Sequence, residues 1–241
     1  STCKGVRWAD LDKDGQLDLL YASRGTGRPG DTPSGKLYIR RGLGKWQFGP
    51  ALKFDAGISA YYIETGDLNE DGYADILIPN ELGTTASYWI NPGKSIFQQP
   101  DRMRRQVLKT SGFKINDVRA ADFNGDGHLD VLTANWDSSN ISLFLGRGNG
   151  TFGQEHLMPG GKNCVFFAVG DLDKDGDLDF VVTHWTADFL SVFLNDGDGR
   201  FAPKTDYKTG LGNYGVDLFD SDSDGNLDAV TANFQDHTLS L

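Results

Sequence analysis

Cysteine is almost missing from this chain, with only Cys3 and Cys164 among 241 residues. That excludes a fold stapled by a disulfide framework. Each cysteine stands seven residues before the first aspartate of an acidic cluster, so the two hold equivalent places in different repeats. Thiols so placed in non-adjacent repeats lie beyond bridging distance, and two free thiols are expected, the alternative being a partner for Cys3 in sequence outside this chain. No hydrophobic run approaches the roughly 18 residues of a membrane span. No charged start followed by an apolar stretch and a cleavage site opens the sequence, so any export signal is expected to lie outside it. Positive charge is also scarce: 23 Lys and Arg face 34 Asp and Glu, a net charge of −11. Such a balance repels phosphate backbones and argues against nucleic acid as a partner. No nucleophile motif, glycine-rich phosphate cradle or catalytic zinc signature is present.

What the chain does have is a core's worth of apolar residues, 38% hydrophobic and 12% aromatic, and an acidity that is not scattered. Eighteen of the 34 acidic residues occupy four fixed positions of five short clusters. The clusters read DLDKDGQLD (10–18), DLNEDGYAD (67–75), DFNGDGHLD (122–130), DLDKDGDLD (171–179) and DSDSDGNLD (220–228). Their starts are 57, 55, 49 and 49 residues apart, a period that suits one four-stranded propeller blade. Around the third cluster the order of elements is clearest. An apolar strand (118–121) enters the loop, a β-branched strand (129–134) leaves it, and a polar connection (135–140) leads to a third strand (141–145). A glycine turn ending at Phe152 and a weaker outer strand near His156 complete the unit. Phe48, Phe97, Phe152 and Phe201 follow this turn in four repeats and are expected to pack between neighbouring blades.

The fold expected is therefore all-β, a single β-propeller domain over 1–241 with five recognisable four-stranded blades, at about 5–55, 60–110, 116–160, 165–210 and 214–241. The last blade should lack its outer strand, because Thr238 to Leu241 supply only a third. With no N-terminal segment to complete it, the pattern favours a piece of a larger ring, such as a seven-bladed one, over a sealed five-bladed ring.

Each cluster offers oxygen ligands at positions 1, 3, 5 and 9, a backbone carbonyl at position 7 and glycine at 6 for the sharp turn, the inventory of a hard cation such as calcium. The candidate ligands are Asp10, Asp12, Asp14, Gln16 and Asp18; Asp67, Asn69, Asp71, Tyr73 and Asp75; Asp122, Asn124, Asp126, His128 and Asp130. The fourth and fifth sets are Asp171, Asp173, Asp175, Asp177 and Asp179, and Asp220, Asp222, Asp224, Asn226 and Asp228. At position 7 only the carbonyl need coordinate, and the His128 ring is expected to face water. Asn69 and Asn124 remove one charge each, which should weaken the second and third sites. Five divalent ions would bring the formal charge from −11 to about −1. An EF-hand is excluded, since position 12 is Tyr21, Ile78, Thr133, Val182 or Thr231 rather than glutamate, and strand patterns follow each loop.

These repeats resemble the FG-GAP and VCBS repeats of integrin α-chain propellers and of many secreted microbial proteins. The resemblance rests on the Asp-x-Asp-x-Asp-Gly-x-x-Asp loops and on echoes of the Phe-Gly and Gly-Ala-Pro signature in Phe48-Gly49-Pro50, Phe152-Gly153 and Phe201-Ala202-Pro203. It covers nearly the whole chain and is loosest at a Gly/Pro-rich insertion (24–35) and at 80–86. It implies calcium ions that brace a hairpin at one end of each blade, and an extracellular, secreted or cell-surface setting.

If the acidic loops join first and second strands, the opposite face carries the remaining connections. Arg24, Trp136, His184, Trp185, Tyr214 and Phe234, with Tyr61 and His237 beside them, are expected there as candidate ligand-binding residues. Trp136, Trp185 and Phe234 hold one position in three repeats, a plausible platform for sugar rings and equally a blade-packing position. His184 replaces the asparagine found at Asn80, Asn135 and Asn233. The family likeness favours a calcium-stabilised binding or adhesion module for glycan or extracellular protein. The alternatives are a polysaccharide lyase, for which His184, Tyr214 and Arg24 are the only acid–base assemblage on offer, and a repeat module of a structural surface polymer whose edges pair with further blades or neighbouring subunits.

Overall fold

The computed structural model describes residues 3–25 and 34–241, so the middle of the Gly/Pro-rich insertion lies outside the described residues. Each repeat folds as one antiparallel sheet whose strands pair in chain order. The first is β1 (Cys3–Ala9), β2 (Asp18–Ser23), β3 (Ser34–Gly42) and β4 (Phe48–Ile58). The second is β5 (Glu64–Gly66), β6 (Asp75–Pro79), β7 (Thr85–Trp89) and β8 (Gln106–Lys109). The third is β9 (Ile115–Ala121), β10 (Asp130–Asn135), β11 (Asn140–Gly146) and β12 (Phe152–Pro159). The fourth is β13 (Cys164–Gly170), β14 (Asp179–His184), β15 (Phe189–Phe193) and β16 (Thr205–Lys208). The fifth, β17 (Asn213–Phe219), β18 (Asp228–Asn233) and β19 (Thr238–Ser240), has three strands, as the sequence indicated. The architecture is a β-propeller, and no helix among the described residues is long and apolar enough to cross a membrane.

The second strand of each blade follows directly from the last aspartate of its loop, and β6, β10 and β14 are buried at every residue. Both faces of these strands meet neighbouring blades, which is why DILIP, DVLTAN and DFVVTH read as nearly unbroken apolar runs. Buried apolar residues accordingly gather at the seams. Leu20, Ile39, Ile76 and Trp89 join blades 1 and 2; Leu77, Tyr88, Val131 and Phe144 join 2 and 3; Phe123, Leu132, Phe167 and Phe180 join 3 and 4. Val181 and Leu190 meet Val216 and Leu218 between blades 4 and 5.

In blades 2 to 5, a residue at the end of the second strand is tied to a serine of the third. Ser87 donates to Asn80 at 2.9 Å, Asn135 to Ser142 at 2.8 Å and Asn233 to Ser240 at 2.8 Å, while His184 and Ser191 meet at 2.8 Å. Near the axis, Arg7 of β1 bonds Glu64 of β5 at 2.8 Å, and Arg119 of β9 reaches both Glu64 (3.4 Å) and Asp117 (2.9 Å). Asp117 also accepts the Phe167 N–H of β13 at 3.0 Å, so one ionic chain links the inner strands of four blades. Burial raises Asp117 to about 6 in spite of Arg119.

Three departures from the sequence reading have physical causes. The outer strand expected to be weak near His156 is an eight-residue strand, because Asn140 to Phe144 pair continuously with Pro159 to Glu155. Repeat two diverges because two single-turn 3₁₀ helices (Gly93–Ser95 and Pro100–Arg102) sit between its third and fourth strands and bring Ile96 and Met103 into the seam with blade 1. Phe97, Phe152 and Phe201 pack in seams as expected, but Phe48 does not: it lies against Trp8, at 5.7 Å between ring centroids, on a side of blade 1 where the large side chains are exposed. Cys3 and Cys164 are free thiols, and burial pushes Cys164 up to about 12.

Phe180, fully buried and stacked at 4.5 Å on Phe193, is the strongest test of seam packing. Phe180→Ala should cost about 3–5 kcal/mol in urea unfolding, against less than about 1 kcal/mol for Phe48→Ala. Equal losses at the two positions would contradict this account of where the core lies.

Candidate functional site

Five acidic hairpins line one end of the propeller, each joining the first and second strands of its blade. Their internal hydrogen bonds repeat. In loop 1 the Asp14 and Gly15 N–H groups donate to Asp10 (3.1 and 2.9 Å) and the Gln16 N–H to Asp14 (2.9 Å). Loops 2, 3 and 5 copy all three bonds on Asp67 and Asp71, Asp122 and Asp126, and Asp220 and Asp224. In loop 4 the Lys174 and Gly176 N–H groups donate to Asp171, and the Asp177 N–H to Asp175.

The ninth residue is set differently, because Asp18, Asp75, Asp130 and Asp179 are fully buried. One carboxylate oxygen of each accepts the N–H of the loop's second residue, Leu11, Leu68, Phe123 or Leu172, at 2.8–2.9 Å. The other accepts an N–H from the turn after the third strand, Gly42, Asn91, Gly146 or Asn195, at 2.7–2.8 Å. Burial nevertheless pushes Asp18 up to about 6, Asp75 to about 7 and Asp130 to about 6, and raises Asp179 as well.

Ligand oxygens of Asp10, Asp12 and Asp18 lie within 4.8 Å of one another, and so do those of Asp171, Asp173 and Asp179 and of Asp220, Asp222 and Asp228. These are the loops that keep aspartate at position 3. In loops 2 and 3 the amides of Asn69 and Asn124 donate to Asp71 and Asp126 at 3.0 and 2.9 Å. The residues of loop 1 fit a cation on a further count: Asp12 is 4% exposed, and its Oδ1 is buried with no hydrogen-bond partner. An unpaired carboxylate oxygen among like charges is costly, and a bound cation satisfies it. Arg41 supplies part of the balance, with one nitrogen 2.8 Å from Asp12 and 2.9 Å from Asp14.

At the opposite end, a cavity of about 330 Å³ is walled by Tyr61, Trp136, Trp185 and Tyr214 and edged by Arg24, Glu81, Lys114 and Asn116. It draws on residues of all five blades. The Trp136, Trp185 and Phe234 N–H groups donate to the carbonyls of Lys114, Asn163 and Gly212, one repeated bond that places three aromatic rings in an arc. Trp185 stands 6.2 Å from Trp136, 5.1 Å from Phe234 and 5.3 Å from Tyr214 between centroids. The Tyr61 and Tyr214 hydroxyls are 2.7 Å apart, and burial raises Tyr61 above the usual phenol range. Ion pairs fix the rim, Arg24 with Glu81 at 2.8 Å and Lys114 with Asp137 at 3.0 Å.

A family model for FG-GAP-like repeats matches residues 10–78 and 122–182. The chain belongs to that family. Among solved structures, it is similar to a lectin of Agrocybe aegerita that recognises non-reducing terminal N-acetylglucosamine, with a TM-score of 0.63 at 21% identity over 94% of this chain and 60% of the lectin. It is also similar to BBS1N, solved in complex with ARL6DN, with a TM-score of 0.64 at 14% identity over 100% of this chain and 68% of that one. Both likenesses are of fold, and the chain spans about 60% of the lectin's length.

Of the ligand-face candidates in this FG-GAP propeller, Arg24, Trp136, Trp185 and Tyr214 converge on the cavity, and Phe234 flanks it with 60% exposure. His184 does not. It is fully buried, its Nδ1 facing the Lys162 carbonyl at 3.1 Å and its Nε2 facing Ser191, and burial lowers it to about 4. It takes the place of asparagine in the strand-to-strand tie of its blade, so the assemblage of His184, Tyr214 and Arg24 is not formed. The His128 ring does not face water alone; its Nδ1 meets Glu70 of the neighbouring loop, which raises its pKa.

Sequence reasoning also missed residues. Arg41 stood out only as a base where the other blades have Ile90, Leu145 and Leu194. Glu81, Lys114 and Asn116 carried no signal, because they meet the aromatics only through the curvature of the ring.

A carboxylate whose pKa is raised in the folded state takes up protons on folding, so metal-free protein should gain stability as pH falls from about 7.5 to 5. Saturating calcium should raise the melting temperature most at pH 7.5 and flatten this dependence. Asp173→Ala should reduce the calcium-induced rise more than Asp137→Ala, which lies outside the loops. A melting curve indifferent to chelator at pH 7.5 would contradict the cation reading.

Proposed function

We propose that the chain is a calcium-stabilised, non-catalytic binding module that takes glycan through the aromatic cavity opposite the acidic loops, and that it works outside the cell. One observation carries the reading: four aromatic side chains from four blades converge on one cavity whose rim is polar and charged. Indole and phenol faces suit the apolar face of a pyranose, and Asn116, Lys114 and the two tyrosine hydroxyls suit its hydroxyl groups. The lectin among the similar structures supports the same direction.

Calcium is the cation that the five oxygen-rich loops suit best, and sites of this kind fill at extracellular concentrations. Bound there, it supplies positive charge to which the aspartates at positions 1, 3, 5 and 9 are anchored. The binding end is set apart from the metal by the length of the blades, so the ion's part is to hold the scaffold. The lyase alternative finds less support, since His184 is buried away from the cavity that Tyr214 and Arg24 line, and the acid–base assemblage is not brought together.

A glycan array run with calcium and with chelator, beside an assay for unsaturated uronate release, tests this reading. Glycan binding that falls at least tenfold in Trp136→Ala and Phe234→Ala, with melting temperature kept and no uronate released, is the expected result. Uronate release, or glycan binding indifferent to both substitutions, would overturn it.

A further inference from the structure

Loops 1 and 4 begin with the same six residues, Asp-Leu-Asp-Lys-Asp-Gly, at 10–15 and 171–176. Each brings the ligand atoms of its first, third and ninth aspartates within 4.8 Å of one another. They differ in what the third strand of their own blade sets beside them. Blade 4 has Leu194, one residue before the Asn195 N–H that binds Asp179; blade 1 has Arg41, one residue before the Gly42 N–H that binds Asp18. One guanidinium nitrogen of Arg41 lies 2.8 Å from Asp12 and 2.9 Å from Asp14, a charge that Leu194 does not offer loop 4.

That contact alters the donors of loop 1. The Asp14 carboxylate spends one oxygen on the Gln16 N–H and the other on Arg41, so neither is left for an ion. Asp12 is buried, whereas its counterpart Asp173 is exposed. The match between arginine and loop is also incomplete. Asp12 Oδ1 and Arg41 Nε are both buried without a hydrogen-bond partner, and both have given up water without recovering the bond. The guanidinium stands 5.6 Å from the centroid of the Phe97 ring of blade 2, an aromatic face that can hold its charge away from the carboxylates.

An arginine and a calcium ion make opposite demands on these oxygens. Calcium takes six to eight oxygen ligands, and a guanidinium has only N–H donors and keeps its charge at any ordinary pH. Two cations on one pair of carboxylates repel each other. An ion that uses Asp14 must therefore take the oxygen that Arg41 holds.

Resting on the calcium reading of the loops, we infer that Arg41 is a built-in competitor for the cation of loop 1. It neutralises Asp12 and Asp14 in the metal-free chain and leaves them when calcium binds, so loop 1 fills at higher calcium than loop 4 despite their shared sequence. Arg41→Leu gives blade 1 the residue that blades 3 and 4 have in Leu145 and Leu194. The full chain and this variant are titrated with calcium by calorimetry against a competing chelator, and melted both in chelator and in saturating calcium. One binding step should tighten at least tenfold in Arg41→Leu, and this gain should vanish when Asp10→Asn is added. The metal-free melting temperature should fall while the calcium-saturated one holds or rises, and Arg41→Lys should lie between the two proteins in both readouts. A step that stays the same or weakens in Arg41→Leu would overturn the inference alone, as would melting temperatures that fall equally with and without calcium, the mark of a packing role. Calcium bound by neither protein would overturn the cation reading of all five loops and this inference with it.

Discussion

A carboxylate buried at the foot of four of the five acidic loops holds this propeller together. In four blades the ninth loop residue spends both oxygens on backbone N–H groups from two separate segments, the loop's own start and the turn beyond the third strand. It therefore sets the hairpin and the register of the blade at once. The same burial makes the negative charge expensive, as the raised pKa values of Asp18, Asp75 and Asp130 express. A cation among the neighbouring aspartates would offset that cost, which would make metal and hairpin one device.

The device is shared between blades. Asn91 donates to the Leu11 carbonyl at 2.8 Å, Asn195 to that of Phe123 at 2.7 Å, and the Gly150 N–H to that of Leu68 at 2.9 Å. Each of these carbonyls belongs to the second residue of the preceding blade's loop. Fixing a loop thus fixes the seat of the next blade, and through the blades the connections at the far end. The alignment of Trp136, Trp185 and Phe234 on equivalent backbone bonds follows from that regularity.

The repeat period and the loop chemistry made the sheets, their order and the acidic clusters readable from sequence. Residues at a fixed place in every repeat were equally legible: once the loops were assigned to one end, Trp136 and Trp185 had to lie at the other. Register alone misled where a repeat departs from its siblings. His184 looked like a departure with a purpose, yet it fills the buried place of an asparagine. Glu81, Lys114 and Asn116 were invisible because their significance comes from the ring's curvature, which no linear spacing encodes.

The most direct test of the account is the number of calcium ions carried by the folded chain, counted by native mass spectrometry from calcium-containing buffer. Five loops predict up to five ions, with one lost in Asp179→Asn. A chain that folds and flies with none would contradict the claim that these buried carboxylates depend on a cation.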